Sequence, residues 1–270
     1  MGNDFLEANA NSRKPGSAVQ LVQTSLGKIA VYSCNRDSLK PPIVFLHGVY
    51  FDHRLWEYQV QGIHDRTVVA IDMPLHGASR EITKSRWTLH DCAQMLLEIL
   101  NALQFPVVIA IGHSWGSMTI LRAANVQPER FARIGLCNMP LHAASSRRKA
   151  AFVFQHMLLV FRVFYTRQVA KVMFGKSTLA QNPALFDHIA RPMNVLTNQD
   201  IRRIDRVVIL EAEDATALVL GLRVPAIALM GEEDYVAVPP AIETVYVGGG
   251  HISPLEEPER VLDFVRSLLE

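Results

Sequence analysis

Gly112-His113-Ser114-Trp115-Gly116 follows the apolar run 107–111 and precedes a helical stretch over 118–125. A G-x-S-x-G pentapeptide set between a strand and a helix describes a nucleophile elbow, because its glycines permit the tight turn that lifts a serine clear of a sheet. A serine hydroxyl attacks a carbonyl only when a base takes its proton and a third group orients that base. His251, reached through Gly248-Gly249-Gly250 after the run 243–247, is the candidate base. Asp234, in Gly231-Glu232-Glu233-Asp234 after the run 226–230, is the candidate acid; Glu232 and Glu233 stand beside it as loop charges or substitutes. The other nine of the ten histidines are weaker candidates. His113 shares the serine's turn and is expected to point away, and His142, His156 and His188 fall in a helical stretch. The chain order Ser, Asp, His is that of one triad lineage.

These residues need a sheet to carry them. Eight short β-branched or apolar runs, over 19–24, 28–34, 42–46, 67–71, 107–111, 132–137, 226–230 and 243–247, alternate with longer helical patterns. The first two, joined by Ser25-Leu26-Gly27, read as an antiparallel hairpin. The later ones are nearly continuous in apolar residues, as strands covered on both faces should be. Thr88 with Asp91 three residues on predicts a capped helix start, followed by the apolar face of Leu89, Ala93, Leu96, Leu97, Leu100 and Leu103. Pro258 predicts the first turn of a last helix. The alternation breaks over 139–205, which reads as a helical insertion over one end of the sheet.

With these motifs in order, the chain resembles the α/β-hydrolase fold superfamily, in its serine-nucleophile esterase and lipase-like branch, from about residue 19 onward. The landmarks are Phe45-Leu46-His47-Gly48 with Trp56 downstream; Asp72-Met73-Pro74-Leu75-His76-Gly77-Ala78-Ser79; the Ser114 elbow; Gly231 to Pro239; and Gly249 to Val261. The resemblance implies a mostly parallel eight-stranded sheet with helices on both faces and a helical cap. It divides the chain into a leader over 1–18, a core over 19–138 and 206–270, and a cap over 139–205. It implies Ser114 as nucleophile, Asp234 as acid and His251 as base, with an oxyanion hole from the backbone N–H groups of Val49 and Trp115. Asp72, Pro74, Gly77 and Glu256 match positions that are mostly structural. One departure is the short connection from Asp234 to His251, where relatives place a full helix and Val238-Pro239-Pro240-Ala241-Ile242 leaves room for a turn. Asn138 occupies the position after the sixth strand where some relatives carry their acid.

The reaction follows from the nucleophile. Relatives with this fold that act as dehalogenases or epoxide hydrolases use an aspartate at the elbow, so Ser114 points to acyl transfer. The expected activity is hydrolysis of small to medium hydrophobic carboxylic esters, with lactones included. The alternatives are an amidase or aminopeptidase, since His113-Ser114-Trp115-Gly116-Ser117 resembles the elbow of proline iminopeptidases, and a non-hydrolytic relative acting as a cofactor-free dioxygenase or ligand receptor. No cofactor or metal site is expected, as no HExxH, CxxC or P-loop occurs. The apolar stretch with Phe152, Phe154, Met157, Leu158, Phe161, Phe164 and Tyr165 is expected to pack the cap on the core. Tyr50, Met157, Phe161 and Phe164 are the candidate pocket residues. Arg147, Arg148, Arg162 and Arg167 are expected on solvated faces.

Composition excludes other classes. With 270 residues, 27 Lys and Arg against 26 Asp and Glu, and 49% hydrophobic residues, the chain is neither disordered nor globally basic, which argues against nucleic acid and anionic membrane as partners. Three scattered cysteines, Cys34, Cys92 and Cys137, read as buried hydrophobes in a reducing compartment. No secretory h-region and no stretch long enough to span a bilayer is evident, so a cytoplasmic location is expected.

Overall fold

The computed structural model describes residues 18–34 and 38–270; the expected leader lies outside them except for Ala18, which opens the first strand. β1 (Ala18–Thr24) and β2 (Gly27–Cys34) form the antiparallel hairpin, paired from Ala18 opposite Ser33 to Thr24 opposite Gly27. The Thr24 hydroxyl closes the turn by donating to the Gly27 carbonyl at 2.8 Å. β3 (Ile43–Leu46) leads through a 3₁₀ turn at His53–Trp56 into α1 (Glu57–Gln61), and β4 (Val68–Ile71) follows. Next come α2 (Leu89–Ala102), β5 (Val108–His113), α3 (Trp115–Val126) and β6 (Phe131–Cys137).

Helices fill the chain between β6 and the next strand. They are α4 (Ser146–Gln155), a 3₁₀ turn (His156–Val160), α5 (Arg162–Met173), α6 (Lys176–Gln181), α7 (Leu185–Val195) and α8 (Asn198–Asp205). α8 passes without a break into a π-helical turn, Arg206–Leu210, so the division drawn from the sequence at 205/206 falls inside a continuous helical stretch. α9 (Thr216–Leu220) then returns the chain to the sheet, where it packs on α3. β7 (Ala226–Gly231), β8 (Glu243–Val247), α10 (Ser253–Glu256) and α11 (Pro258–Ser267) complete the chain.

The eight strands form one sheet in the order β1-β2-β4-β3-β5-β6-β7-β8. β1, β2 and β4 pair antiparallel and all other neighbours pair parallel. Every residue of β3, β4 and β5 is buried. Successive side chains of a strand point to opposite faces, so these strands are covered on both sides, with α2 packed against α3 and α1 against α11. α2 begins at the expected cap: Thr88 accepts from the Asp91 N–H while Asp91 reaches back to the Thr88 N–H. β5 runs two residues past its apolar run, pairing Gly112 with Leu46 and Leu136. It therefore delivers Ser114 at the carboxyl ends of the parallel strands, where open α/β sheets place their ligands. Among the described residues no helix is long and apolar enough to cross a membrane.

Candidate active site

Ser114 occupies the turn between β5 and α3 with φ +50° and ψ −111°, in the left-handed half of backbone space that side chains avoid. Two glycines make this turn possible. A Cβ on Gly112 would collide with the backbone of Gly116 and Ser117, and one on Gly116 would collide with the Leu46 carbonyl. The Ser114 N–H is tied to the Cys137 carbonyl at 2.9 Å, and the Ser117 hydroxyl bridges the Gly112 and Cys137 carbonyls at 2.7 and 3.0 Å. The strained backbone is thus held by neighbouring strands, and the serine hydroxyl projects off the sheet edge.

His251 meets it there. Its Nε2 lies 2.9 Å from Ser114 Oγ and its Nδ1 lies 2.9 Å from Asp234 Oδ1. A carboxylate can only accept, so Nδ1 carries the proton and Nε2 is free to accept the serine's. The Asp234 side chain is fully buried and that of His251 nearly so. Burial raises the Asp234 carboxyl, but the hydrogen bond and charge of His251, the Asn138 amide and the Val236 N–H outweigh it and hold the group below the usual carboxylate range. The chain from 235 to 242 holds no helix, and the short connection still brings the acid to the imidazole because β7 and β8 are adjacent and parallel. Glu233 turns elsewhere, accepting from the Lys176 N–H at 2.9 Å and from the Ser177 hydroxyl.

Three residues support the relay: the sequence named Asn138 and Glu256 without these contacts, and it did not single out Tyr235. Asn138, itself at φ +49°, donates from Nδ2 to Asp234 Oδ2 at 2.8 Å and to the Gly250 carbonyl at 3.3 Å. Tyr235 stacks on the His251 ring, with centroids 4.7 Å apart. Glu256 gathers the histidine loop by accepting from the N–H groups of Gly250, Ile252 and Gly175 at 2.9, 3.0 and 2.8 Å. Glu256 carried a signal in the sequence, five residues after the base in a quoted motif. Asn138 carried only its position after β6, and the Tyr235 stacking has no local signature. His113 donates from Nε2 to the His251 carbonyl at 2.7 Å, which commits it to the histidine loop.

A cavity of about 530 Å³ opens onto Ser114. Its walls are largely apolar, with Leu141, Phe152, Val169, Met173 and Val208 among them. Val49 and Tyr50 line it on the core side. The Tyr50 N–H is taken by His76 Nε2 at 3.0 Å, whereas Trp115, as the first residue of α3, has an N–H with no carbonyl one turn earlier. The Tyr50 hydroxyl donates to the buried Asp205 carboxylate, which also meets His156 Nε2 at 2.8 Å. Burial pushes that carboxyl up despite these partners. Arg148 is the one permanently charged side chain on the cavity wall among the described residues, and its guanidinium lies 5.3 Å from the Tyr235 ring centre.

The other expected pocket residues are elsewhere. Met157, Phe161 and Phe164 do not line the cavity but are 65, 67 and 49% exposed. The reason is local: α4 ends at Gln155, a 3₁₀ turn follows over His156–Val160 and the chain breaks at Phe161 (φ −99°, ψ 67°), so the three fall on no single helix face, and the inward face past the break is that of Tyr165, Val169 and Met173. Nor does the stretch only pack inward, since Phe154 is 68% exposed. Arg162 is half-buried, capping the Met193 and Leu196 carbonyls, rather than solvated. No group of three or more His, Cys, Asp or Glu side chains is arranged to hold a metal ion among the described residues.

Behind the elbow, three buried imidazoles are each wired to be neutral. His47 donates from Nδ1 to the Gly48 carbonyl at 2.6 Å and accepts the Met73 N–H at 2.9 Å. His76 donates to the Pro74 carbonyl and accepts the Tyr50 N–H, both at 3.0 Å. Burial, then neighbouring imidazole charge, lowers His76 and His113 each to about 3, and burial lowers His47 also. Their folded values lie below the unfolded value of about 6.5, so as pH falls the unfolded chain takes up protons first. Stability present above that value is lost below it. His76 and His113 should each withdraw about 2 kcal/mol by pH 5. Urea unfolding at pH 7 and pH 5 checks this, the lower midpoint belonging to pH 5; an unchanged midpoint would contradict the neutral assignment.

A model of the Alpha/beta hydrolase family matches residues 43–264. The hydrolase YugF of Bacillus subtilis is 24% identical over 252 residues, covering 84% of this chain and 89% of that protein. Among solved structures, a thermophilic esterase from Thermogutta terrifontis superposes with a TM-score of 0.78 at 20% identity, over 94% of this chain and 98% of its own. The enol-lactonase from Burkholderia xenovorans does so with a TM-score of 0.78 at 20% identity, over 90 and 96%. At such identities these structures speak to fold alone.

Proposed function

The chain belongs to the alpha/beta hydrolase family, and from that premise we propose that it is a serine hydrolase cleaving carboxylic esters, lactones included, of small to medium hydrophobic acyl groups. The observation that carries the reading is the unbroken relay from Ser114 Oγ through His251 to the buried Asp234, opening on an apolar cavity. In this mechanism His251 Nε2 takes the Ser114 proton as Oγ bonds to the substrate carbonyl carbon. The oxyanion so formed is held by the N–H groups of Val49 and Trp115. The carbon–oxygen bond to the leaving group then breaks, His251 returns the proton to the departing alkoxide, and an acyl-serine remains. Water, deprotonated by the same imidazole, attacks the acyl carbon, and the acid leaves as Ser114 regains its proton. A preorganised N–H donor in such a site is worth about 2.7–4 kcal/mol.

The cavity volume fits this class, since small-molecule sites commonly enclose about 300–1,000 Å³. Aminopeptidase action would need carboxylates to hold a substrate ammonium. The described residues on the cavity wall include no Asp or Glu, and Arg148 there repels a cation. The related esterase and enol-lactonase structures are consistent with the ester reading. The test is intact-mass labelling with a fluorophosphonate, followed by a panel of p-nitrophenyl esters and lactones. Stoichiometric labelling mapped to Ser114, absent in His251→Ala, together with turnover of neutral esters, is the expected result. A folded wild-type protein that stays unlabelled would overturn the reading in favour of a receptor or a dioxygenase.

A further inference from the structure

The side chains that leave the cavity form a surface of their own. Phe154, Met157, Val160 and Phe161 are 68, 65, 77 and 67% exposed, and Val163 and Phe164 continue the patch onto α5. They follow one another from the end of α4 through the 3₁₀ turn His156–Val160 to the first turn of α5. Lone apolar side chains on a surface are ordinary, but a contiguous aromatic and aliphatic patch marks a place where something binds. The charge around it is one-sided. From Met139 through Phe186 the sequence has seven Lys and Arg and no Asp or Glu, in a chain whose net charge is only +1. Arg147, Arg167 and Lys171 are exposed, and none of them forms an ion pair among the described residues. On α5, Phe164, Arg167 and Lys171 follow at intervals of three and four, so the cations border the apolar face directly.

We propose that this face seats the protein on an anionic lipid bilayer, with the aromatic and aliphatic tips at the boundary of headgroups and acyl chains and the cations among the headgroup phosphates. Apolar anchors rimmed by unpaired cations are the composition of a segment lying in a membrane interface. A second copy of the chain is the poorer occupant. Two-fold pairing sets a patch against itself, which would bring Arg147, Arg167 and Lys171 toward their own like charges, and the stretch from Met139 through Phe186 carries no carboxylate to meet them. The balanced charge of the whole chain concealed this segregation. On the ester-hydrolase reading, seating the face has a consequence for access: Val172 and Met173 of α5 line the cavity, so its mouth would sit near a membrane that concentrates hydrophobic esters.

Flotation of the full chain with vesicles tests the docking without reference to turnover. Binding is expected to phosphatidylcholine vesicles containing about one-third phosphatidylglycerol, with little to phosphatidylcholine alone, and it should weaken steeply in about 0.5 M NaCl. Arg147→Gln/Arg167→Gln/Lys171→Gln should weaken binding about a hundredfold, and Phe154→Ser/Val160→Ser/Phe161→Ser tenfold or more. Both variants should keep the wild-type melting temperature and hydrolyse a water-soluble ester within about twofold of wild type, since none of the six residues touches the cavity or the Ser114 relay. Failure of the wild type to float with the anionic vesicles at low salt would overturn the proposal. So would binding that neither variant alters. A wild-type dimer in sedimentation that the apolar variant dissolves would assign the face to a second copy instead. Absence of ester turnover with docking intact would count against the activity reading alone.

Discussion

Ser114→Ala and His251→Ala are each expected to lower kcat for a neutral ester by roughly 10⁴–10⁶, with the fold retained, and the double variant should be no worse than either single one. The non-additivity is the informative part. On the proposed mechanism the serine and the imidazole act on one proton, so removing either leaves the other without a task. The activity expected to remain would come from the proposed oxyanion donors and from binding, which both variants keep. Stability should change little in Ser114→Ala. Its Oγ bonds only His251, and removing one hydroxyl from that turn leaves Gly112 and Gly116 to hold the backbone. Steady-state kinetics with thermal melts on the three proteins would decide it. Retained turnover in Ser114→Ala would remove serine acylation from consideration.

Asp234→Asn is the next largest, an expected loss of roughly 10³–10⁴ in kcat at little cost in KM. Asn138 explains why so small a change should cost so much. Its amide donates to Asp234 Oδ2, so an asparagine at 234 would turn its own oxygen toward Asn138. Its NH₂ would then face His251 Nδ1. Nδ1 must accept that hydrogen, which moves the imidazole proton to Nε2, and a protonated Nε2 cannot take the Ser114 proton. Glu233→Gln, by contrast, should leave kcat within a few fold, because Glu233 holds the start of α6 rather than the imidazole. Fluorophosphonate labelling rates for the two variants measure the same contrast without a chosen substrate. Equal losses in both would move the acid away from Asp234.

Much of the fold was legible because its rules are local. Strands buried on both faces must be continuously apolar, which marked β3 to β7 along the chain. The capping pair Thr88 and Asp91 and the proline at 258 announced two helix starts through backbone hydrogen bonds that close within one turn. The elbow was legible for the same reason, since glycines at 112 and 116 answer a steric demand of a single turn. What failed was a reading of orientation. The spacing of Met157, Phe161 and Phe164 suggests a helix face but does not say which side of the molecule it meets, and in the fold the three are spread over a 3₁₀ turn, a break and α5, all exposed.

The sequence by itself therefore determined the order of the elements, the backbone strain at Ser114 and the types of chemistry available after each strand. Covalent geometry and short-range hydrogen bonding suffice for these. Only the tertiary structure decided which of three adjacent carboxylates meets His251, that Asn138 braces it from another strand end, and that Asp205 lies beneath Tyr50, 155 residues away in sequence. Those contacts join residues whose separation along the chain carries no signal. Their cause is the packing of eight strands and the helices above them, which places distant side chains within hydrogen-bond reach and turns others out into water.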